Sequence, residues 1–336
     1  MRLFVIVMMF PALTLAGFTL GGPEPPTMTI GGQVRFGPAL SLDPDPWEVG
    51  FENSSASLFF TGRLAGRLDW MVHPSMAGGR FALLECFGEW KPLDLLGVRF
   101  GHQKASFGRV HNSSAARLLF AARNPLAAFA PGYQLGVTPT VNMPDGRAAF
   151  RFGAYNGTGW GAPHADPWLM YAASLEVTPL GPVPYEESAH RGYETPVFAL
   201  IPGVWTHRER RAVGVPPVQR EYTTTVAGIH AALRADYLAL DAVFCRRWVE
   251  TEVGNGAEVV ITDGLSVQGG YAFDGRYEPI ARFTMVGLEG AITTLEAGFN
   301  WYFGSYASRL GLNFAGVLDG GDGARHDLRL YYEFQF

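Results

Sequence analysis

Lysine is almost missing from this chain: Lys91 and Lys104 are the only two, and every other basic residue is arginine. Charge as a whole is scarce, at 17% against the roughly 25% usual for soluble domains. The net charge is -5, and no basic block with interleaved aromatics occurs, so a nucleic-acid partner is excluded. There are two cysteines, Cys86 and Cys245, far apart and without zinc or redox spacing. A disulfide between them is conceivable in an oxidising compartment, but two small apolar fillers is the preferred reading. Beyond the N-terminus no stretch nears the ~18 unbroken apolar residues of a membrane helix. GxSxG, HExxH and a Gly-rich phosphate loop are all absent, and His102, His111, His164, His190, His207, His230 and His326 are scattered singly. A barrel hydrolase is therefore the weakest alternative, and no metal or cofactor is implied.

What remains is a chain 48% hydrophobic and 13% aromatic, with 42 glycines. Residues 1–16, with Arg2 followed by an apolar run and Thr14-Leu15-Ala16, read as a signal peptide, the alternative being a buried N-terminal element. Residues 17–28 then form a short periplasmic segment and 29–336 a transmembrane domain. Period-two alternation dominates that domain, as in "RLDWMV" and "LRLYYEFQF", and it means strands.

A sandwich and a barrel both alternate, so length and connection decide. Most segments match the nine to eleven residues of membrane strands, and mapping them gives about sixteen. Connections at 91–94, 142–146 and 234–237 are short. Those at 41–50, 105–132, 158–167 and 207–221 are longer. Residues 178–195 break the rule, being long on the short side. Short turns at one end and long loops at the other are expected of an antiparallel β-barrel in an outer membrane. Arginine facing lipid at mid-membrane costs ~2–4 kcal/mol, and the charges duly share the parity opposite to the large apolar residues. Trp70, Trp90, Trp160, Trp168, Trp248 and Trp301 are candidates for interfacial girdles.

The connection 105–132 carries Arg109, His111, Arg117 and Arg123 around an apolar middle, Leu118 to Phe120. Apolar content in so long a loop points to packing inside the barrel as a constriction, rather than to a solvated outer loop. Inward parity adds Arg35, Arg63, Arg67, Arg99, Arg147, Arg151, Arg234, Arg282, Arg309 and Arg329 as pore-lining candidates. Asp69, Glu176, Asp236, Glu296 and Glu333 share that parity and offset part of the track. At the end of the chain Leu328, Leu330, Tyr332, Phe334 and Phe336 form the lipid face of a closing strand, which must pair with a strand near Ile30 to Phe36.

"VRFGHQKASFGR" from Val98 with "SSAARLLFAARNPL", "FRFGAYNGTG" from Phe150, "AALRADYLALDAVFCRRW" from Ala231 and "AGFNWYFGSYASRLGLNF" from Ala297 resemble the O/P-type (phosphate-selective) porin family. The resemblance, spread over nearly the whole chain, implies a sixteen-stranded, usually trimeric, outer-membrane channel for small hydrophilic solutes or anions. It places Lys104 and Arg109 at the strand-to-loop junction and Arg117 and Arg123 in the inward loop. The terminal aromatic resembles the signal read by the outer-membrane assembly machinery. The near absence of lysine departs from a lysine-built phosphate trap. A plugged or anchoring barrel, embedded in the same lipids, is the runner-up.

Overall fold

The computed structural model describes residues 26–42, 48–64, 66–77, 80–159, 167–213, 218–253, 256–287, 292–303, 308–319 and 323–336. The signal-peptide reading, most of the 17–28 segment and Trp160 lie outside them. Sixteen antiparallel strands close into one barrel. They begin with β1 (Thr27–Ser41), β2 (Glu48–Leu64), β3 (Leu68–Ala77) and β4 (Arg80–Leu93). Next come β5 (Leu96–Lys104), β6 (Tyr133–Asn142), β7 (Ala148–Tyr155) and β8 (Met170–Val177). The third quarter is β9 (Tyr193–Val213), β10 (Val218–Asp236), β11 (Leu238–Val253) and β12 (Gly256–Tyr271). The last is β13 (Tyr277–Val286), β14 (Ile292–Tyr302), β15 (Ser308–Asp319) and β16 (Gly323–Gln335).

Closure follows from the alternation. β16 pairs with β1, with Val34 opposite Phe334, and Phe336 exchanges both backbone hydrogen bonds with Gly32 at 2.9 and 3.1 Å. Neither edge is left open, which matters where no water could satisfy it. Leu330, Phe334 and Phe336 stand exposed on the outer face, while Tyr331 and Glu333 are buried inside. The strand thus begins two residues before the 29–336 boundary.

The stretch 207–221 is not a long loop. β9 runs to Val213 and β10 resumes at Val218, so most of it is a hairpin rising past the apolar band. Its outer face carries Arg208, Arg210 and Glu221, and the same belt continues with the Arg246–Asp263 pair at 2.6 Å. Parity alone would put these charges in lipid, and they are tolerated because the strands outlast the hydrocarbon. Arg208 lies 4.6 Å over the Trp168 ring, an arrangement suited to the headgroup level.

The proline at Pro74 cannot donate to the ladder, and the register slips between His73 and Pro74. The bulge sets His73 opposite Glu85 on the inner wall. Cys86 is exposed on β4 and Cys245 buried on β11, and both are free thiols.

Candidate pore and its inward elements

The connection 105–132, hereafter L3, lies inside the barrel. It holds one helical turn, α1 (Arg109–Asn112), and two 3-10 turns, Ala115–Arg117 and Pro125–Phe129. Phe107, Leu118, Leu119, Phe120, Leu126 and Phe129 are all buried. Phe107, Leu126 and Phe129 pack with Val226, Val243 and Cys245 of the wall. The absence of a side chain at Gly264 admits Leu126 and Phe129, since a Cβ there would lie 2.5 Å from Leu126. At Gly108 the backbone adopts φ 61°, and a Cβ would collide with the His230 ring.

A loop with so little regular structure brings buried carbonyls that need donors. The inward arginines supply them. Arg35 donates to Ala121 O at 2.6 Å and Ala115 O at 2.7 Å. Arg309 donates to Leu118 O at 2.5 Å, and Arg282 to Ala122 O at 3.3 Å. Each keeps a carboxylate on a neighbouring strand: Glu333 serves Arg35 and Arg309, and Glu296 serves Arg282 at 2.7 Å. Asn300 donates to Leu119 O at 2.9 Å, Asn313 accepts from Ala121 N at 2.8 Å, and Asn124 donates to Ser266 at 2.8 Å. These asparagines were not singled out from sequence, where an isolated inward Asn gives no distinguishing signal.

The β8–β9 connection, residues 178–192, also enters the lumen. Arg109 donates to Val183 O at 3.1 Å and to Pro184 O, and Arg234 donates to Glu186 O at 2.5 Å and to Asp241 at 2.9 Å. Thus Arg35, Arg109, Arg234, Arg282 and Arg309 are buried against the inserts rather than open to water. The others stand elsewhere. Arg63 pairs with Asp69 at 2.7 Å, Arg67 donates to Pro92 O, and Arg329 pairs with Asp327 at 3.3 Å. Arg147 and Arg117 are exposed.

The inserts fill the side of the lumen bounded by β9–β16 and leave a cavity of about 560 Å³ against β1–β7. Ser57, Met71, His73, Glu85, Arg99, Lys104, Arg123, Tyr133, Thr140, Arg151 and Tyr185 line it. Arg99 is paired with Glu89 at 2.7 Å and Arg151 with Glu176 at 2.9 Å. Lys104 instead touches the carbonyls of Asn112 and Ser113, each at 3.2 Å. Arg123 donates to the carbonyls of Val110 at 2.8 Å and Ser113 at 2.9 Å. Among the described residues neither has a carboxylate at ion-pair distance, and Glu85 is the sole acid lining the cavity. A smaller cavity of about 350 Å³ opens on the other side of L3, between Trp205, Tyr222, Arg211 and Arg247.

Burial pushes the His111 imidazole down to about 3, with the Lys104 and Arg123 charges adding to it. Burial likewise takes His190 down to about 4, helped by Arg191 and Arg309. Both rings are neutral at neutral pH and add nothing to the cationic lining. A histidine held below its ordinary 6.5 resists a proton that the unfolded segment accepts, so the inserts lose stability as pH falls from 6.5 towards those values. Glu187 runs the other way: burial, then Asp241, raises its carboxyl above 4.5, and its cost grows as pH rises past that point. With Glu187→Gln removing that opposing contribution, L3 should be cut several-fold faster by protease at about pH 5 than at about pH 7.5, relative to an unfolded substrate. Glutamine at both His111 and His190 should flatten that dependence.

A closed sixteen-stranded barrel with its third loop folded inward and a polar cavity beside it defines an outer-membrane porin. The chain belongs to the phosphate-selective porin O and P family, whose model matches residues 49–318. Among solved structures it is similar to the trimer form of in-vitro folded OmpT, an outer membrane protein of Vibrio cholerae. That likeness has 14% identity and TM-score 0.63, over 93% of this chain and 100% of that one. Salmonella typhi OmpF in complex with daunomycin gives 13% identity and TM-score 0.62, over 92% and 97%. The outer membrane channel DcaP of Acinetobacter baumannii gives 11% and 0.63, over 96% and 100%. No curated protein matches. At these identities the structures speak for the fold, while the family match makes the chain a Gram-negative outer-membrane channel for passive diffusion of small hydrophilic solutes.

Proposed function

We propose that solutes cross between L3 and the β1–β7 wall, and that anions are preferred at Lys104 and Arg123. One observation carries this: among the described residues these are the two lining cations without a carboxylate at ion-pair distance, whereas Arg99 and Arg151 are offset by their own carboxylates. In a narrow passage with low-dielectric walls, uncompensated like charges focus the field on a passing ion. Arg35, Arg109, Arg234, Arg282 and Arg309 hold the inserts, so the anion preference rests on a short constriction rather than on a continuous track. The reversal potential of the purified protein across a potassium chloride gradient tests it. An anion-selective potential is expected, and a cation-selective one would reject the assignment.

On this reading the protein binds no cofactor or metal and catalyses nothing. His102, His111, His190 and His230 are buried against wall or loop, and His73 faces the cavity 3.4 Å from Glu85. Three copies are the proposed assembly, supported by the trimer form solved for the structurally similar Vibrio cholerae OmpT. The outward set Leu328 to Phe336 is the proposed recognition strand for the assembly machinery, and the apolar belt its contact with outer-membrane lipids.

A further inference from the structure

Outer-membrane barrels ordinarily turn tightly at the end that carries both termini, the periplasmic end. Here β10 and β11 are joined there by Tyr237 alone, and β4 and β5 by two residues. The connection 178–192 is the exception, and it is not in the periplasm. Glu186, Glu187, Ser188, Ala189 and His190 are buried, Ser188 and Ala189 completely. Val183 packs with Val197, Ala199 and Ala232 of the inner wall. Ser188 donates to Glu278 at 2.7 Å, and the His190 ring stacks 5.0 Å from Tyr302.

This segment meets L3 in mid-lumen. Glu187 N donates to Arg117 O at 2.9 Å, and Leu119 N donates back to the Glu187 carboxylate at 2.9 Å. Two elements entering from opposite ends are therefore tied backbone to backbone. At the segment's tip Tyr185 faces the cavity. Its ring lies under the Arg109 guanidinium at 4.5 Å, and its hydroxyl donates to Glu176 at 2.9 Å, which also accepts from Arg151. Burial pushes that phenol up to about 12, so it stays a neutral donor. The ring is thus held by a cation above and a hydrogen bond at its far end, in a fixed position against the passage.

We propose that residues 183–190 are a second inward element, entering from the periplasmic end, and that Tyr185 at its tip sets the pore's width and sorts solutes by size. The proposal rests on the reading that the 560 Å³ cavity is the passage. A fixed ring beside a pore limits it by volume, not by charge, so conductance must follow side-chain size at position 185.

Single-channel recording of Tyr185→Ala, Tyr185→Phe and Tyr185→Trp tests the size rule. Alanine should raise conductance by roughly 1.5-fold, phenylalanine should leave it unchanged, and tryptophan should lower it. In liposome swelling, Tyr185→Ala should speed a trisaccharide more than a monosaccharide. A merely structural role would not order the variants by volume or sort solutes by size. Equal conductance in the alanine and tryptophan variants would overturn the proposal. The insertion is tested without any current by Ser188→Cys in a Cys86→Ala/Cys245→Ala background. A hydrophilic thiol reagent should label it at least ten-fold more slowly than the unfolded chain, and labelling at the unfolded rate would overturn the insertion. A silent wild type, by contrast, would remove the pore reading and leave the labelling result standing.

Discussion

Arg309→Ala should release L3 while leaving the barrel closed. Arg309 is wholly buried, with one guanidinium nitrogen on Leu118 O and another on Glu333 at 3.2 Å. Its removal strips a donor from a buried carbonyl and half the cation pair from a buried carboxylate. Breaking a buried pair costs about 3–5 kcal/mol, and because Glu333 keeps Arg35 the low end applies here, near 3 kcal/mol. That loss falls on the loop, since the strands are held by their own ladders and by closure. The expected result is a channel with higher and noisier conductance, and protease cutting within residues 115–123 that the wild type resists. Arg63→Ala is the comparison: its pair with Asp69 is exposed, worth ~0–1 kcal/mol, and conductance should not change. Equal conductance and equal protection in Arg309→Ala would show that the arginine does not hold the loop.

The second large effect is on selectivity. Lys104→Glu combined with Arg123→Gln changes the constriction by three units of charge without crowding the carbonyls that Arg123 touches. The lining would then be led by Glu85 and the new carboxylate, and the channel should pass from anion to cation preference. Either single change should give an intermediate reversal potential. At about 1 M salt, where the Debye length is ~3 Å, the difference between variants should shrink. A double variant as anion-selective as the wild type would place the selective charges elsewhere.

Much of this architecture is legible in sequence because a barrel wall has a strict period of two. The alternation at Leu328, Leu330, Tyr332 and Phe334 fixes the outer face, and Arg309 and Glu333 fall on the inner one accordingly. Parity tells which face a residue is on, not what covers that face. Arg35, Arg282 and Arg309 therefore look like pore lining until L3 is seen lying over them. The departure of 178–192 from the short-turn rule is visible in sequence, but not its direction, because proline and buried acids suit an extended turn equally well. Nor does periodicity show where a strand leaves the membrane, so the hairpin through Arg208 and Glu221 reads as a loop. Lys104 and Arg123 are recoverable from the position of the loop. That they lack acidic partners depends on which strands come together, and only the folded barrel decides it.

The route of the solute is the centre of the account, and it can be probed by blocking the passage from its own wall. In a Cys86→Ala/Cys245→Ala background, Ser57→Cys and Thr140→Cys place a thiol on the wall of the open cavity. Ser266→Cys places one on the inner face beneath L3, where Ser266 is bonded to Asn124. A bulky hydrophilic thiol reagent, added during single-channel recording, should cut the current through the first two variants and leave the third unchanged. A current unaffected at both Ser57→Cys and Thr140→Cys would contradict a pore between L3 and the β1–β7 wall.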